Sequence, residues 1–102
     1  MDVVYEFQGV EFEWDPNKAD RNLKLHQVSF NEAATVFSDP LSITVTDPDH
    51  SIEEERSITV GWSDRFRLLL VAHTERGDRI RVISARELNR SEREAYEQGD
   101  FL

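Results

Sequence analysis

From Leu41 to Arg86 the chain alternates apolar and polar residues with a period of two, and that alternation commits its second half to a sheet. "LSITVTD" sets Leu41, Ile43 and Val45 on one face against Ser42, Thr44 and Thr46. "RSITVGWSD" repeats the arrangement with Ile58, Val60 and Trp62 against Ser57, Thr59 and Gly61. The Ser/Thr faces of these two strands are either solvent-facing or a binding surface, and "PDHSIEEE" between them is a loop. "RLLLVAHT" and "RIRVISAR" supply two more strands, joined by "ERGD", where Gly77 offers the backbone freedom of a hairpin turn. Leu68 to Val71 is apolar on both faces, as a central strand is. With residues 75–78 as the loop, Thr74 faces Arg79, His73 faces Ile80 and Ala72 faces Arg81. His73 then shares a face with Val82, Ser84 and Arg86, while Arg79 and Arg81 lie on the other; a loop of odd length would change this.

The first half carries the helices. "VEFEWD" is a half-buried strand, and Asp15 before Pro16 places an N-cap residue ahead of a proline at the first helical position. "PNKADRNLKLHQ" is expected to be helical, with Ala19, Leu23 and His26 inward. Ser29 with Glu32 forms a capping box for a second helix, whose apolar positions are Phe30, Ala33, Ala34 and Phe37 and which "SDP" stops. "SEREAYEQ" closes the chain as a helix, with Ser91 and Glu94 as its capping box. The order predicts one α+β domain over residues 1–102. Its antiparallel sheet has about four to five strands, with two N-terminal helices and a C-terminal helix mostly on one face.

Charge narrows the chemistry. The net charge is -9, yet the two halves differ: residues 1–55 hold three Lys/Arg against thirteen acids, residues 56–102 nine Arg against eight. Such acidity argues against non-specific coating of DNA and leaves room for a local cationic site or a basic partner. Cysteine is absent, which excludes disulfides, thiolate metal sites and a cysteine nucleophile. His26, His50 and His73 form no pair at ligand spacing, so no zinc site is expected. The acids between Asp47 and Glu55 lack the spacing and glycine of a calcium loop. Neither a glycine-rich phosphate loop nor a GxSxG elbow occurs. No apolar run approaches the roughly 20 residues of a membrane span, and the acidic start has no signal-like pattern; a cytoplasmic domain without a membrane role is expected.

Five arginines fall within "RIRVISARELNRSERE" at residues 79–94, and a sixth in "TERG". Arginine presents a planar, permanent cation to phosphate oxygens, and histidine moves protons near neutral pH, so the pattern suits the handling of a phosphate. Simpler readings stand beside it. Arg79 and Arg81 suit an edge strand kept soluble by charge, while Arg86, Arg90 and Arg93 can pair with Glu87, Glu92 and Glu94. His73 suits a hydrogen-bonded structural position, and His26 a helix C-terminus.

"FEWDPNKADRNLKLHQVSFNEAATVFSDP", with its DP-x-K helix start and N-x-x-x-H-x-V-S-F, resembles the N-terminal half of the BrnT toxins. "ERSITVGWSDRFRLLLVAHTERGDRIRVISARELNRSEREAYE" resembles their C-terminal half, most distinctively in I-S-A-R and the closing helix. The resemblance spans roughly residues 10–97. It implies a compact RelE-like fold and a ribonuclease toxin of a type II toxin–antitoxin pair, without cofactor or metal. It further implies an RNA substrate and neutralisation by a BrnA-like antitoxin, whose DNA-binding part is the chain's indirect link to DNA. The assembly would be a homodimer or a toxin–antitoxin heterotetramer. Carried onto this chain, the catalytic candidates are His26, Arg56 (opening the third strand), Arg81, Arg86 and His73; Lys24, Arg67 and Arg79 are RNA-binding candidates. Leu25 and Gln27 stand where the family commonly has the lysine and glycine of K-H-G. The implied chemistry is metal-independent attack of a 2′-OH on the adjacent phosphate. A non-catalytic module that keeps antitoxin binding and autoregulation is the alternative.

Overall fold

The computed structural model describes residues 1–47, 49 and 55–101; His50 and most of the "PDHSIEEE" loop lie outside them. In chain order come β1 (Val3–Phe7), β2 (Val10–Trp14), α1 (Pro16–His26), α2 (Phe30–Thr35) and a short 3-10 turn (Val36–Ser38). Then follow β3 (Ile43–Thr46), β4 (Ser57–Trp62), β5 (Leu68–Arg76), β6 (Arg79–Glu87) and α3 (Arg90–Glu97). The strands form one six-stranded sheet, ordered β1-β2-β6-β5-β4-β3.

This corrects the expected four to five antiparallel strands in two ways. β1 is an additional strand, folded onto β2 through Gln8 and Gly9, whose φ values of 51° and 84° make the tight hairpin. Gln8 is not a residue that announces a left-handed turn, so the hairpin is poorly signalled. Secondly, β2 pairs with β6 in parallel, Phe12 opposite Ile80, so the sheet is mixed. Strand periodicity says nothing about which distant strand will be the partner.

The helix starts follow their local chemistry. Asp15 accepts from Asn17 N at 2.9 Å with Pro16 in the first turn, and Ser29 accepts from Glu32 N at 3.0 Å. The box at Ser29 is only half formed, because the Glu32 side chain turns to other partners. At α3 the capping box is made by Asn89 and Glu92, not by Ser91 and Glu94, so the helix starts earlier than expected.

The core lies between α1, α2 and one sheet face, where Phe12, Trp14, Phe30, Val36, Leu69 and Val71 are buried. Phe12 meets Phe37 edge-on at 5.2 Å between ring centroids, and Trp14 meets Phe30 at 5.7 Å. On α1 the inward residue is Asn22 rather than Leu23, which is 48% exposed. Asn22 Nδ2 donates to the carbonyls of Val28 (2.9 Å) and Ala85 (2.8 Å), and its Oδ1 accepts from Ala85 N at 3.1 Å. One amide thus ties α1 to β6 and satisfies backbone groups that a leucine would leave unpaired.

The β5–β6 hairpin turns on Gly77 and Asp78 alone, with Arg76 opposite Arg79, so both strands are longer than expected. Thr74 faces Arg81 instead of Arg79, and His73 faces Val82 instead of Ile80. Between the pairs His73–Val82 and Ala72–Ser84 the register shifts, leaving Ile83 as an extra residue. This bulge overturns the expected faces. His73 and Val82 stay on the core side, while Ser84 and Arg86 move to the outer face with Arg79 and Arg81.

Replacing Asn22 with alanine should cost about 2–3 kcal/mol, since three buried backbone groups lose their partner. The thermal midpoint should fall by roughly 10–20 °C, and the urea midpoint should fall with it. A loss below about 1 kcal/mol would show that water or another side chain takes over the clamp.

Candidate active site

The arginines of residues 79–94 converge on the outer side of β6 and on α3, but each is met by a carboxylate. Arg79 Nε lies 3.1 Å from Glu11, and Arg81 Nη1 lies 2.7 Å from Asp2 and 2.6 Å from Glu13. Arg86 forms a two-pronged pair with Glu92 at 2.8 and 2.9 Å. Arg90 and Arg93 pair along α3 with Glu94 (3.3 Å) and Glu97 (3.8 Å). Hydrogen bonding to Arg86 holds the Glu92 carboxyl below its usual range. Exposed pairs such as Arg79–Glu11 contribute at most about 1 kcal/mol and exchange readily with a competing anion. Arg86 is more firmly held, because Glu92 is also the acid of the α3 capping box.

Along the sheet these cations separate into two groups. β5 extends about 26 Å between Leu68 and Arg76. Arg67 precedes its first residue, and Arg86 lies opposite Leu70 near the same end. At the hairpin end are Arg79 and Arg81, and Arg56 leads into β4, the fourth strand, beside them. The five catalytic candidates therefore do not meet at one point.

The end near Arg67 is the more elaborate. Arg67 grips the buried Glu32 with two nitrogens, Nε at 2.9 Å, and Nη2 donates to the Gln27 carbonyl at 3.0 Å. Its Nη1 approaches Glu87, next to Arg86, at 3.6 Å. Ser63 donates to Glu32 at 2.7 Å. Burial pushes the Glu32 carboxyl up, but the hydrogen bonds from Arg67 and Ser63 outweigh it and hold the group below its usual range. Gln27 caps α1 in the left-handed conformation, φ 60°, so the contact fixes the end of the helix that carries His26. His26 is half-buried on the face of Asn22, one turn further on, while Lys24 is exposed and without an ion pair among the described residues. His26, Arg67 and Arg86 thus share one rim of the sheet, the first two on the core side and Arg86 on the outer side.

His73 lies elsewhere, 6% exposed on the core side. Its Nε2 is 2.7 Å from Thr59 Oγ1, which is 2.7 Å from Thr44 Oγ1, and its ring meets Phe37 edge-on at 4.9 Å. Nδ1 has no hydrogen-bond partner among the described residues. Burial lowers the imidazole to about 4, so it is neutral at physiological pH. The hydroxyls of Thr44 and Thr59 are thus engaged in this internal chain.

Glu32, Ser63 and Asn22 were passed over in the sequence as site-building residues. The available signal was an asparagine on the helical stripe shared by Ala19 and His26; for Glu32 and Ser63 no local pattern points to the contact.

Stability should fall with acid through His73. The unfolded chain takes up this proton near pH 6.5 and the folded chain only near 4, so unfolding gains as pH drops through that window. The loss is on the order of 3 kcal/mol at its full extent. Urea titrations at pH 7, 6, 5 and 4.5 should show this slope in the wild type and a reduced one in His73→Gln; equal slopes would remove His73 as the cause.

A family model described as the ribonuclease toxin BrnT of type II toxin–antitoxin systems matches residues 14–92. Among solved structures, the 1.1 Å crystal structure of the Brucella abortus ribonuclease toxin BrnT matches with a TM-score of 0.56. Identity is 20%, and the match covers 76% of this chain and 94% of that one, a likeness of fold. No curated relative matches the chain.

Proposed function

The chain belongs to the BrnT family of ribonuclease toxins of type II toxin–antitoxin systems, and from that premise we propose a metal-independent endoribonuclease, built on a compact RelE-like fold. It acts on single-stranded RNA in the cytoplasm and is neutralised by a BrnA-like antitoxin, through which alone it is linked to DNA. The assembly is a homodimer or a toxin–antitoxin heterotetramer.

The observation that carries this reading is the rim where Arg67 hydrogen-bonds the Gln27 carbonyl beside His26 and approaches Glu87 beside Arg86. In the reaction, the 2′-OH attacks the adjacent phosphorus and the bond to the 5′-oxygen breaks. A 2′,3′-cyclic phosphate and a 5′-OH result. His26, half-buried at a helix end, accepts the 2′-OH proton and returns one to the leaving oxygen. Arg86 and Arg67 stabilise the charge gathering on the non-bridging oxygens. Lys24, Arg79, Arg81 and Arg56 contact flanking phosphates, with the exposed ion pairs exchanging their carboxylates for RNA. His73, neutral and buried towards the hairpin end of β5, has a structural role and does not touch RNA.

A second reading rests on the same charge pairing. With Arg79, Arg81 and Arg86 all occupied by acids and Leu25 in place of a lysine, the chain would be a non-catalytic module that binds the antitoxin and takes part in autoregulation.

The test is cleavage of a labelled single-stranded RNA in excess EDTA by the wild type, Arg86→Ala and His26→Ala. Cleavage should survive EDTA and fall by about two to three orders of magnitude in each variant. Undiminished cleavage by both would overturn the assignment of the rim. A folded wild type that cleaves nothing would favour the interaction module.

A further inference from the structure

The turn between β4 and β5 presents an aromatic ring to solvent from a backbone position that disfavours it. Phe66 is 86% exposed and has φ 61°, the left-handed region that a bulky side chain rarely adopts. The turn is held rigidly. Ser63 N donates to Arg67 O at 2.8 Å, Phe66 N to Ser63 O at 3.0 Å, and Asp64 N to Thr35 Oγ1 at 2.9 Å. Ser63 Oγ accepts from Arg65 N and Arg67 N at 3.2 and 3.3 Å while donating to Glu32. Nothing in the core is gained by the Phe66 ring, and glycine would suit the backbone better.

Beside the ring runs an open groove of about 270 Å³, whose lining includes Phe66, Trp62, Phe7, Gln8, Ser38 and Asp39. Asp39 has both carboxylate oxygens occupied, by Trp62 N at 2.8 Å and Leu41 N at 3.0 Å. Arg93 lies over the Trp62 ring at 5.3 Å. Arg65, next to Phe66, is exposed and in no ion pair among the described residues, unlike the arginines of β6. Asp64 is the exposed acid of the turn.

We propose that Phe66 is a stacking platform for one nucleobase of single-stranded RNA, with Arg65 holding the neighbouring phosphate. This rests on the ribonuclease reading and adds a binding subsite to it. An aromatic face next to an uncommitted cation is what base stacking and backbone contact require. The rings of Phe66, Trp62 and Phe7 along the groove would also suit a protein partner, but Arg65 and Arg67 flank Phe66 in the chain with positive charge, which favours a polyanion. The subsite also adjoins the reacting rim, since Arg67 hydrogen-bonds α1 beside His26.

The test uses a fluorescein-labelled 2′-O-methyl oligoribonucleotide, which binds without being cleaved, and a twin carrying 2-aminopurine. Phe66→Gly should weaken binding roughly 5- to 100-fold and abolish 2-aminopurine quenching, while the thermal midpoint stays equal or rises. Phe66→Trp should retain both affinity and quenching, and Arg65→Ala should weaken affinity and reduce its salt dependence. If the wild type binds the oligonucleotide and Phe66→Gly binds it equally, the platform is overturned while the ribonuclease reading stands. A wild type that binds no RNA would overturn that reading and the subsite with it. Normal RNA binding with lost neutralisation by the antitoxin would reassign Phe66 to the protein interface and overturn the proposal.

Discussion

The Glu32 carboxylate, 5% exposed, can remain charged in its position only because Arg67 and Ser63 meet both of its oxygens. Those partners bind α2 to the β4–β5 turn, while Arg67 Nη2 also reaches the end of α1 and Nη1 the end of β6. Four elements that are distant in sequence are thus held at one rim by a single buried anion. Burying a charge is unfavourable by itself, so the pair adds less to stability than to uniqueness: any arrangement that separates Glu32 from Arg67 strands a charge in a dry place. The rim can therefore present His26, Arg86 and the Phe66 turn in a fixed relation.

Charge is organised on the same principle at the surface, with weaker bonds. Part of the acidity of the first half faces solvent, at Glu6, Asp20, Asp49 and Glu55, but Asp2, Glu11 and Glu13 are brought by the β1–β2 hairpin against Arg79 and Arg81 of β6. The parallel pairing of β2 with β6 makes this meeting, placing Glu13 opposite Arg81. Arginines that look like a phosphate site in sequence are thereby neutralised within the fold, and the cations left without such partners among the described residues include Lys24 and Arg65. An anionic ligand meets two kinds of arginine on this molecule. Arg79 is held by an exposed, exchangeable pair, while Arg81, with Glu13, and Arg86, with the acid that also caps α3, are held in part-buried ones.

Local chemistry made much of this fold readable. Asp15–Pro16, Ser29 and the period-two segments each encode their element through interactions within a few residues, so α1, α2 and five of the six strands fall where their patterns place them. The bulge at Ile83 was not readable, because an extra residue in one strand is defined only against its partner. That single residue decides whether Arg86 faces the core side with His73 or the outer side with Arg81. Asn22 takes the inward position expected of Leu23 for a related reason. Leucine is the better hydrophobe, but a buried position facing unpaired backbone carbonyls selects an amide.

By itself the sequence determined the α+β class, the starts of α1 and α2, the lack of cysteine chemistry and, through its extended motifs, the family to which the chain belongs. These depend on spacing and composition along one strand of text, where each residue acts through its neighbours. Tertiary structure alone decided the sixth strand, the parallel pair, the faces of the arginines, the neutrality of His73 and the grouping of His26 with Arg67. Those depend on burial and on contacts between residues as far apart as Asn22 and Ala85. Solvent exclusion and charge pairing exist only once the chain has closed on itself.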